Sequence, residues 1–318
     1  MLQRDDGTNG AILRTGVRAR RKRRLSFDPR YGEAVPVGNA ITRITANNPG
    51  SFTGAGTNTY LIGEERLMLL DPGPDLPEHL ALIGKAIRGR PVSHILVTHS
   101  HRDHIEGLQA VRDMTGAPVV AEGPARLSRT LHPSEVDPRP GYADRLFPID
   151  HVVSDGETIS NGEVSVTAVT TPGHAPDHVA FAYGDDFFSG DHVMGWSTTV
   201  VSPPEGSMRA YVASLEKIMP MGHTRYLPGH GDMIDEPART VSGIRSHRLM
   251  RERAILQRLQ AGDRAISDIV ANLYSGIDRS LYDAAAMSVL AHLEMLYEQG
   301  RVFAEGYGKS ARWRPSGV

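Results

Sequence analysis

The run Thr98-His99-Ser100-His101-Arg102-Asp103-His104 crowds three imidazoles and a carboxylate into one short segment. Packing does not account for it, because clustered imidazoles and a carboxylate lose hydration on burial unless hydrogen bonds or a cation compensate. Just upstream, Val92-Ser93-His94-Ile95-Leu96-Val97 has the β-branched and aliphatic make-up of a buried strand. The cluster is therefore expected where that strand ends, and any fold for this chain must bring partners to a strand-to-loop edge.

His99 and His101 can point to the same side of an extended turn and bind one cation, while Asp103 and His104 face a second position nearby. A zinc site that does chemistry usually takes three protein ligands and keeps one position open, so each position needs further partners. Thr171-Pro172-Gly173-His174 follows the strand-like run Val164 to Val169, Ser189-Gly190-Asp191-His192 ends a second apolar run, and Leu227-Pro228-Gly229-His230-Gly231 repeats the strand, glycine, ligand order. Loops at one edge of a sandwich would converge on the cluster. Two cations roughly 3.5–4 Å apart can share a hydroxide, lower its pKa toward neutrality and polarise the bond under attack. With no Cys in the chain the softest ligand type is missing; two zinc ions are the leading expectation, with manganese or iron as alternatives.

Together with Leu69-Leu70-Asp71-Pro72-Gly73, these motifs resemble, in order, those of the metallo-β-lactamase superfamily over most of residues 40 to 235. The resemblance implies an α+β fold, the αββα four-layer sandwich. It implies that His99, His101 and His174 hold a first metal, that Asp103, His104 and His230 hold a second, and that Asp191 bridges both. Asp71 would support the cluster loop from behind. The implied reaction is hydrolysis of an ester-type bond by a hydroxide shared between the metals and held by Asp103 and Asp191. A metal-bound water or His192 would protonate a leaving group that needs it.

Of the other histidines, His79, His94, His132, His151, His223, His247 and His292 read as surface or hydrogen-bonded groups. His178 and His192 read as supports of the ligand loops or as proton donors. Gly54-Ala55-Gly56-Thr57-Asn58 lacks the lysine and helix start of a phosphate loop and reads as a turn into a strand, Thr59 to Ile62. Trp196-Ser197-Thr198-Thr199 reads equally as a substrate-facing loop or as a structural loop whose Trp caps the core.

A chain of 318 residues can bury one large core and a small second one. Its formal net charge of -2 gives no overall field for nucleic acid. The absence of Cys suits a reducing compartment, and no apolar leader or membrane-length run is present, so a cytoplasmic protein without a membrane partner is expected. Residues 1–25, with Arg18-Ala19-Arg20-Arg21-Lys22-Arg23-Arg24, read as a solvated, disordered tail, with an RNA tether as the alternative. A metallo-β-lactamase domain is expected over 26–243 and a winged-helix-like module over 244–318. In that module Ile244 to Leu259, Ala265 to Tyr274 and Asp283 to Glu298 read as helices, the last with Ala286, Leu290, Leu293 and Tyr297 on one face, and Gly300 to Gly306 reads as a hairpin strand or wing. Its third helix is poor in Lys and Arg, which disfavours duplex DNA and favours a lid or a homodimer contact.

This tail, with Thr57-Asn58-Thr59-Tyr60, Thr198-Thr199-Val200 and Ser246-His247-Arg248, is most similar to the β-lactamase-like protein 2 group. That likeness implies one of two substrates, single-stranded RNA or a thioester. A glyoxalase II-like enzyme, a lactonase or β-lactam hydrolase, and a non-catalytic nucleic-acid-binding regulator stand as alternatives. The short span between Asp191 and His230 leaves no room for the inserted domain of β-CASP nucleases, and lactamases with a Cys ligand are excluded.

Overall fold

Alternation along β4 (Leu67–Leu70) and β5 (Val92–Leu96) sends neighbouring side chains to opposite faces, and both faces are apolar. Leu67, Leu69 and Ile95 meet helices, whereas Met68, Leu70 and Leu96 meet a second sheet. In this computed structural model, which describes residues 27–317 except 39, 134, 144, 145 and 277, those strands lie mid-sheet. The basic run expected as a tail lies outside the described residues.

The first sheet has seven strands in chain order: β1 (Ala34–Gly38), β2 (Ile41–Thr45), β3 (Asn58–Ile62), β4, β5, β6 (Val119–Ala121) and β7 (His151–Val152). Pairing is antiparallel up to β4 and parallel beyond it. Its outer face carries α1 (Pro77–Ile87), α2 (Arg102–Ile105) and α3 (Leu108–Thr115). The single amphipathic segment read over Ile105 to Met114 is thus split at Gly107, where a Cβ would lie 2.9 Å from the Leu80 side chain and the backbone N–H turns to Gly73 O at 2.9 Å.

The second sheet is ordered β12 (Arg225–Pro228), β11 (Asp186–Gly190), β10 (Val179–Tyr183), β9 (Ser165–Thr170), β8 (Thr158–Ser160). Val166, Ala168, Val179, Phe181 and Phe188 fill the space between the sheets. Ala180, Phe187 and Tyr226 face outward onto α4 (Met208–Ile218) and α5 (Pro237–Gln260), which completes an α/β/β/α sandwich. The helix read from Ile244 begins at Pro237, a residue tolerated in a first helical turn, and runs unbroken across positions 243 and 244.

Beyond it, α6 (Ile266–Leu273), α7 (Tyr282–Glu298) and a hairpin of β13 (Val302–Glu305) with β14 (Arg312–Pro315) form a winged helix around its own core. α7 differs from the one-faced helix that the sequence suggests. Leu290, Leu293 and Leu296 join the winged-helix core, but Ala291 and Met295 enter the outer core of the large sandwich, and Tyr297 is 54% exposed. Arg129 ties the two parts further, donating to Glu294 on α7 at 2.8 Å and to Glu135 at 2.6 Å. Among the described residues no helix is long and apolar enough to cross a membrane.

His79, accepting or donating to Thr59 Oγ1 at 3.0 Å, and His292, bonded to Ser288 O at 2.8 Å, are both buried. Burial pushes the pKa of each down from 6.5 to about 4. Because the unfolded chain binds these protons more readily, the stability they contribute is complete above 6.5 and is lost as the pH falls toward 4. Within that window each ring withdraws about 1.4 kcal/mol for every tenfold rise in proton concentration. Urea midpoints followed from neutral to acid should fall over this window, and H292Q should flatten the fall; an unchanged profile would refute the assignment.

Candidate metal centre

Every ligand candidate stands at the carboxyl end of a strand. Asp71 follows β4, the His99 to His104 run follows β5, and His174, Asp191 and His230 follow β9, β11 and β12. The structure brings all seven expected metal ligands together, in three overlapping groups whose ligand atoms lie within 4.8 Å of one another: His99, His101 and His174; His99, His104 and Asp191; and Asp103, His104 and His230.

The outward nitrogen of each ring is fixed by an acceptor. His104 Nδ1 donates to Asp71 Oδ2 at 2.9 Å, and Asp71 also accepts from Thr98 N and Thr98 Oγ1, both at 2.8 Å. Since Thr98 Oγ1 gives its proton to Asp71, it accepts from His99 Nδ1 at 3.0 Å. His174 Nδ1 donates to Val200 O at 2.7 Å, His230 Nδ1 to Gly56 O at 3.2 Å and His101 Nε2 to Glu205 Oε2 at 3.2 Å. These bonds select one tautomer for each ring and aim the other nitrogen inward.

The inward atoms meet at close range. His101 Nδ1 is 3.1 Å from His174 Nε2, and His104 Nε2 is 3.3 Å from His230 Nε2. Tetrahedral coordination with Zn–N bonds of roughly 2.0–2.1 Å would separate two ligand nitrogens by about 3.4 Å. Asp191 reaches both groups, with Oδ2 at 3.3 Å from His230 Nε2 and 3.7 Å from His174 Nε2, and Oδ1 at 3.5 Å from His104 Nε2. His99 Nε2 and Asp191 Oδ1 are buried with no hydrogen-bond partner among the described residues. A buried polar atom left unpaired is costly, and a cation would satisfy both. The residues therefore fit metal ions.

Electrostatics agree. Burial opposes charge on His104, yet Asp103, Asp191 and Asp71 hold its pKa up to about 9, and Asp191 with Asp103 raises His230 well above the usual range against the same penalty. Against burial, His104 and His230 depress the Asp103 carboxyl, and His230 and His104 that of Asp191. Burial and the neighbouring imidazoles hold His99 well below its ordinary value. The site is thus built around positive charge, and cation binding would expel protons from His104 and His230.

His178 and His192 stand outside the ligand groups. His178 Nε2 accepts from the Asp191 backbone N at 3.1 Å, so its Nδ1 donates to Thr171 Oγ1 at 2.8 Å, and the ring seats the Asp191 loop. His192 is fully buried against Tyr211, with ring centroids 4.8 Å apart, and burial pushes its pKa to about 3. The ring offered by the sequence as a proton donor is therefore neutral, packed into the core by the turn that follows β11. Trp196 lies across the His230 loop and the turn before β3: a Cβ on Gly231 would come 2.6 Å from the indole and one on Gly54 3.1 Å. It also walls a cleft of about 290 Å³ with Phe27, Ala55, Met233 and Ile234.

Three supports escaped the sequence reading. Thr57 Oγ1 donates to Asp103 Oδ2 at 3.1 Å, Asp177 Oδ2 accepts from Ser100 N at 2.9 Å between two candidate ligands, and Glu205 Oε2 accepts from His101 Nε2 at 3.2 Å. Thr57 stands in the Thr57-Asn58-Thr59-Tyr60 motif and Asp177 in the Ala175-Pro176-Asp177-His178 continuation of a ligand motif, whereas Glu205 had no nearby signal.

Comparison with known proteins matches this geometry. A family model described as the metallo-beta-lactamase superfamily covers residues 52–230, and one described as the beta-lactamase associated winged helix domain covers 265–313. A Drosophila melanogaster protein named "Beta-lactamase-like protein 2 homolog" is 34% identical over 280 residues, 83% of this chain and 90% of that protein. "Thioesterase pkgB" of Emericella nidulans is 29% identical over 222 residues, 68% of this chain and 58% of that protein. A crystal structure of a beta-lactamase domain protein from Burkholderia ambifaria shares the fold, with a TM-score of 0.72 at 19% identity over 92% of this chain and 96% of that one.

Proposed function

The chain belongs to the metallo-beta-lactamase superfamily and carries that family's associated winged-helix domain, and on that premise we propose that it is a two-metal hydrolase of thioesters. The observation that carries the metal reading is the pair of buried, unpaired inward atoms, His99 Nε2 and Asp191 Oδ1, amid ligand nitrogens whose other sides are all engaged. His99, His101 and His174 would hold one ion, Asp103, His104 and His230 the other, and Asp191 both. When bound, such ions supply hydroxide near neutral pH and positive charge for the oxygen that gains electrons. Zinc is the ion that the nitrogen-rich, thiolate-free set suits best, with manganese or iron as alternatives.

The chain's own residues orient and exclude. Thr57 fixes the Asp103 carboxylate, His178 seats the Asp191 backbone, and the buried loops around them keep the ligands from rotating away. The leaving group decides between substrates. A thiolate, with a pKa near the ~8.5 of Cys, departs without a proton, whereas the alkoxide released from RNA needs one at the moment of cleavage. Of the two proton sources the sequence offered, the one that is a side chain, His192, is buried and neutral, so the chain's own residues favour the leaving group that needs no proton. The likeness to a protein named as a thioesterase supports the same choice.

Zinc-loaded and manganese-loaded protein should hydrolyse short acyl thioesters, and chelation should remove the activity. Single-stranded RNA, assayed in parallel, should survive. RNA cleavage without thioester turnover would overturn the substrate assignment.

A further inference from the structure

We propose that Glu205 is a positioning residue for metal binding, holding His101 in the tautomer and rotamer that present Nδ1, with the Tyr142 ring packed edge to face against His101. The proposal rests on the metal reading of the site and is independent of the substrate. His101 is the one ligand ring among the five whose inward atom is Nδ1; its Nε2 points outward to Glu205 Oε2 at 3.2 Å. The other four are anchored by backbone carbonyls, a threonine hydroxyl or Asp71 on a strand end. His101 instead depends on a carboxylate carried by a loop between β11 and α4.

That loop is built to keep the carboxylate in place. Glu205 is only 4% exposed although it lies in no helix or strand. Its backbone carbonyl accepts from Ser128 Oγ, Ser128 N donates to Pro204 O at 3.0 Å, and Gly206 N closes a turn onto Ser202 O at 2.8 Å. A Cβ on Gly206 would come 2.6 Å from Ser202 N, so the turn admits no side chain there without moving Glu205. Tyr142 meets His101 edge to face, with centroids 5.1 Å apart at 87°, and so walls one side of the ring. The Tyr142 carbonyl also accepts from Arg102 N at 2.9 Å, which fixes the tyrosine to the ligand loop itself.

The same segment is tied to the winged helix. Arg129, next to Ser128, bridges Glu135 and Glu294 of α7, and His132 stacks on Tyr307 at 4.1 Å. A continuous set of contacts therefore runs from the C-terminal domain through Ser128 to Glu205 and His101.

The test is metal affinity, read by competition with a chromophoric chelator, for the wild type and for E205A, E205Q and Y142F, with thermal midpoints of the metal-free proteins as a folding control. E205A should weaken one of two cations by roughly 10–100-fold, the usual cost of losing an outer partner of a ligating histidine. E205Q, whose amide oxygen still accepts the Nε2 proton, should stay within a few-fold of wild type, and so should Y142F, which keeps the ring that meets His101. Cobalt absorption bands should shift in E205A and be restored in E205Q. Wild-type affinity and bands in E205A would overturn the proposal, and so would equal weakening in E205A and E205Q, since charge rather than orientation would then be at work. Should E205A fail to fold, E205D, which withdraws the acceptor by one methylene, carries the same expectation as E205A. A wild type that binds no metal would instead refute the metal reading as a whole.

Discussion

The D191A variant should keep its fold and lose metal-dependent turnover by more than about a thousandfold, the upper end of what removing one preorganised electrostatic group costs. Asp191 is the side chain that reaches both ligand groups, lying 3.3 Å from His230, 3.5 Å from His104 and 3.7 Å from His174. Without it, two cations would face each other with Asp103 as the one remaining carboxylate among the proposed ligands, and metal stoichiometry should drop toward one. The backbone is unaffected, because the interactions that seat this turn, Asp191 N to His178 and Thr199 Oγ1 to Asp191 O, do not use the carboxylate. Metal content by elemental analysis alongside thioester turnover makes the check; a near-normal rate would sink the bridging role.

G229A should disarm the site almost as fully without touching a ligand. A Cβ at this position would lie 2.6 Å from Asp191 Oδ1 and 2.7 Å from His104 Cε1. Real Cβ atoms do not approach that closely, so something must move, and the atoms free to move are the tips of two proposed metal ligands. The rest of the loop holds, since Gly229 N still donates to Gly190 O at 2.9 Å and Asn58 N to Gly229 O at 2.8 Å. Turnover should fall by at least about a hundredfold, the scale of losing one preorganised group, with a thermal midpoint of the metal-free protein close to wild type. A variant that unfolds instead would place the strain in the backbone and contradict this reading.

The convergence of the seven candidate ligands was legible because each sits in a short motif that ends a strand, where composition and position are read together. Of their supports, Asp71 and His178 were read from the sequence, whereas Glu205 and Tyr142 were not. Glu205 follows a Pro-Pro pair in a loop with no periodicity, and Tyr142 lies far from any ligand in sequence; tertiary packing alone joins them at His101. His192, read from its place beside Asp191 as either a support or a proton donor, is buried by the local turn, which suits the supporting role. In the winged helix, the second wing strand Arg312–Pro315 went unread because one inward residue, Trp313, between two exposed arginines carries too little pattern. The helix Tyr282–Glu298 was found, but its burial on two sides blurred the single stripe that amphipathic reading seeks.

That helix also means that the chain offers no clean seam. Its Ala291 and Met295 complete the core built by Val241, Ile244, Leu215 and Tyr226, while Leu290 and Leu293 complete the other with Ile255, Ile269 and Trp313. A fragment ending before it would lay open the flank of the sandwich, and one beginning with it would carry an oily face into water. Anyone engineering a smaller enzyme from this protein would have to repaint one of those faces with polar residues first, because the two parts share a wall and neither owns it.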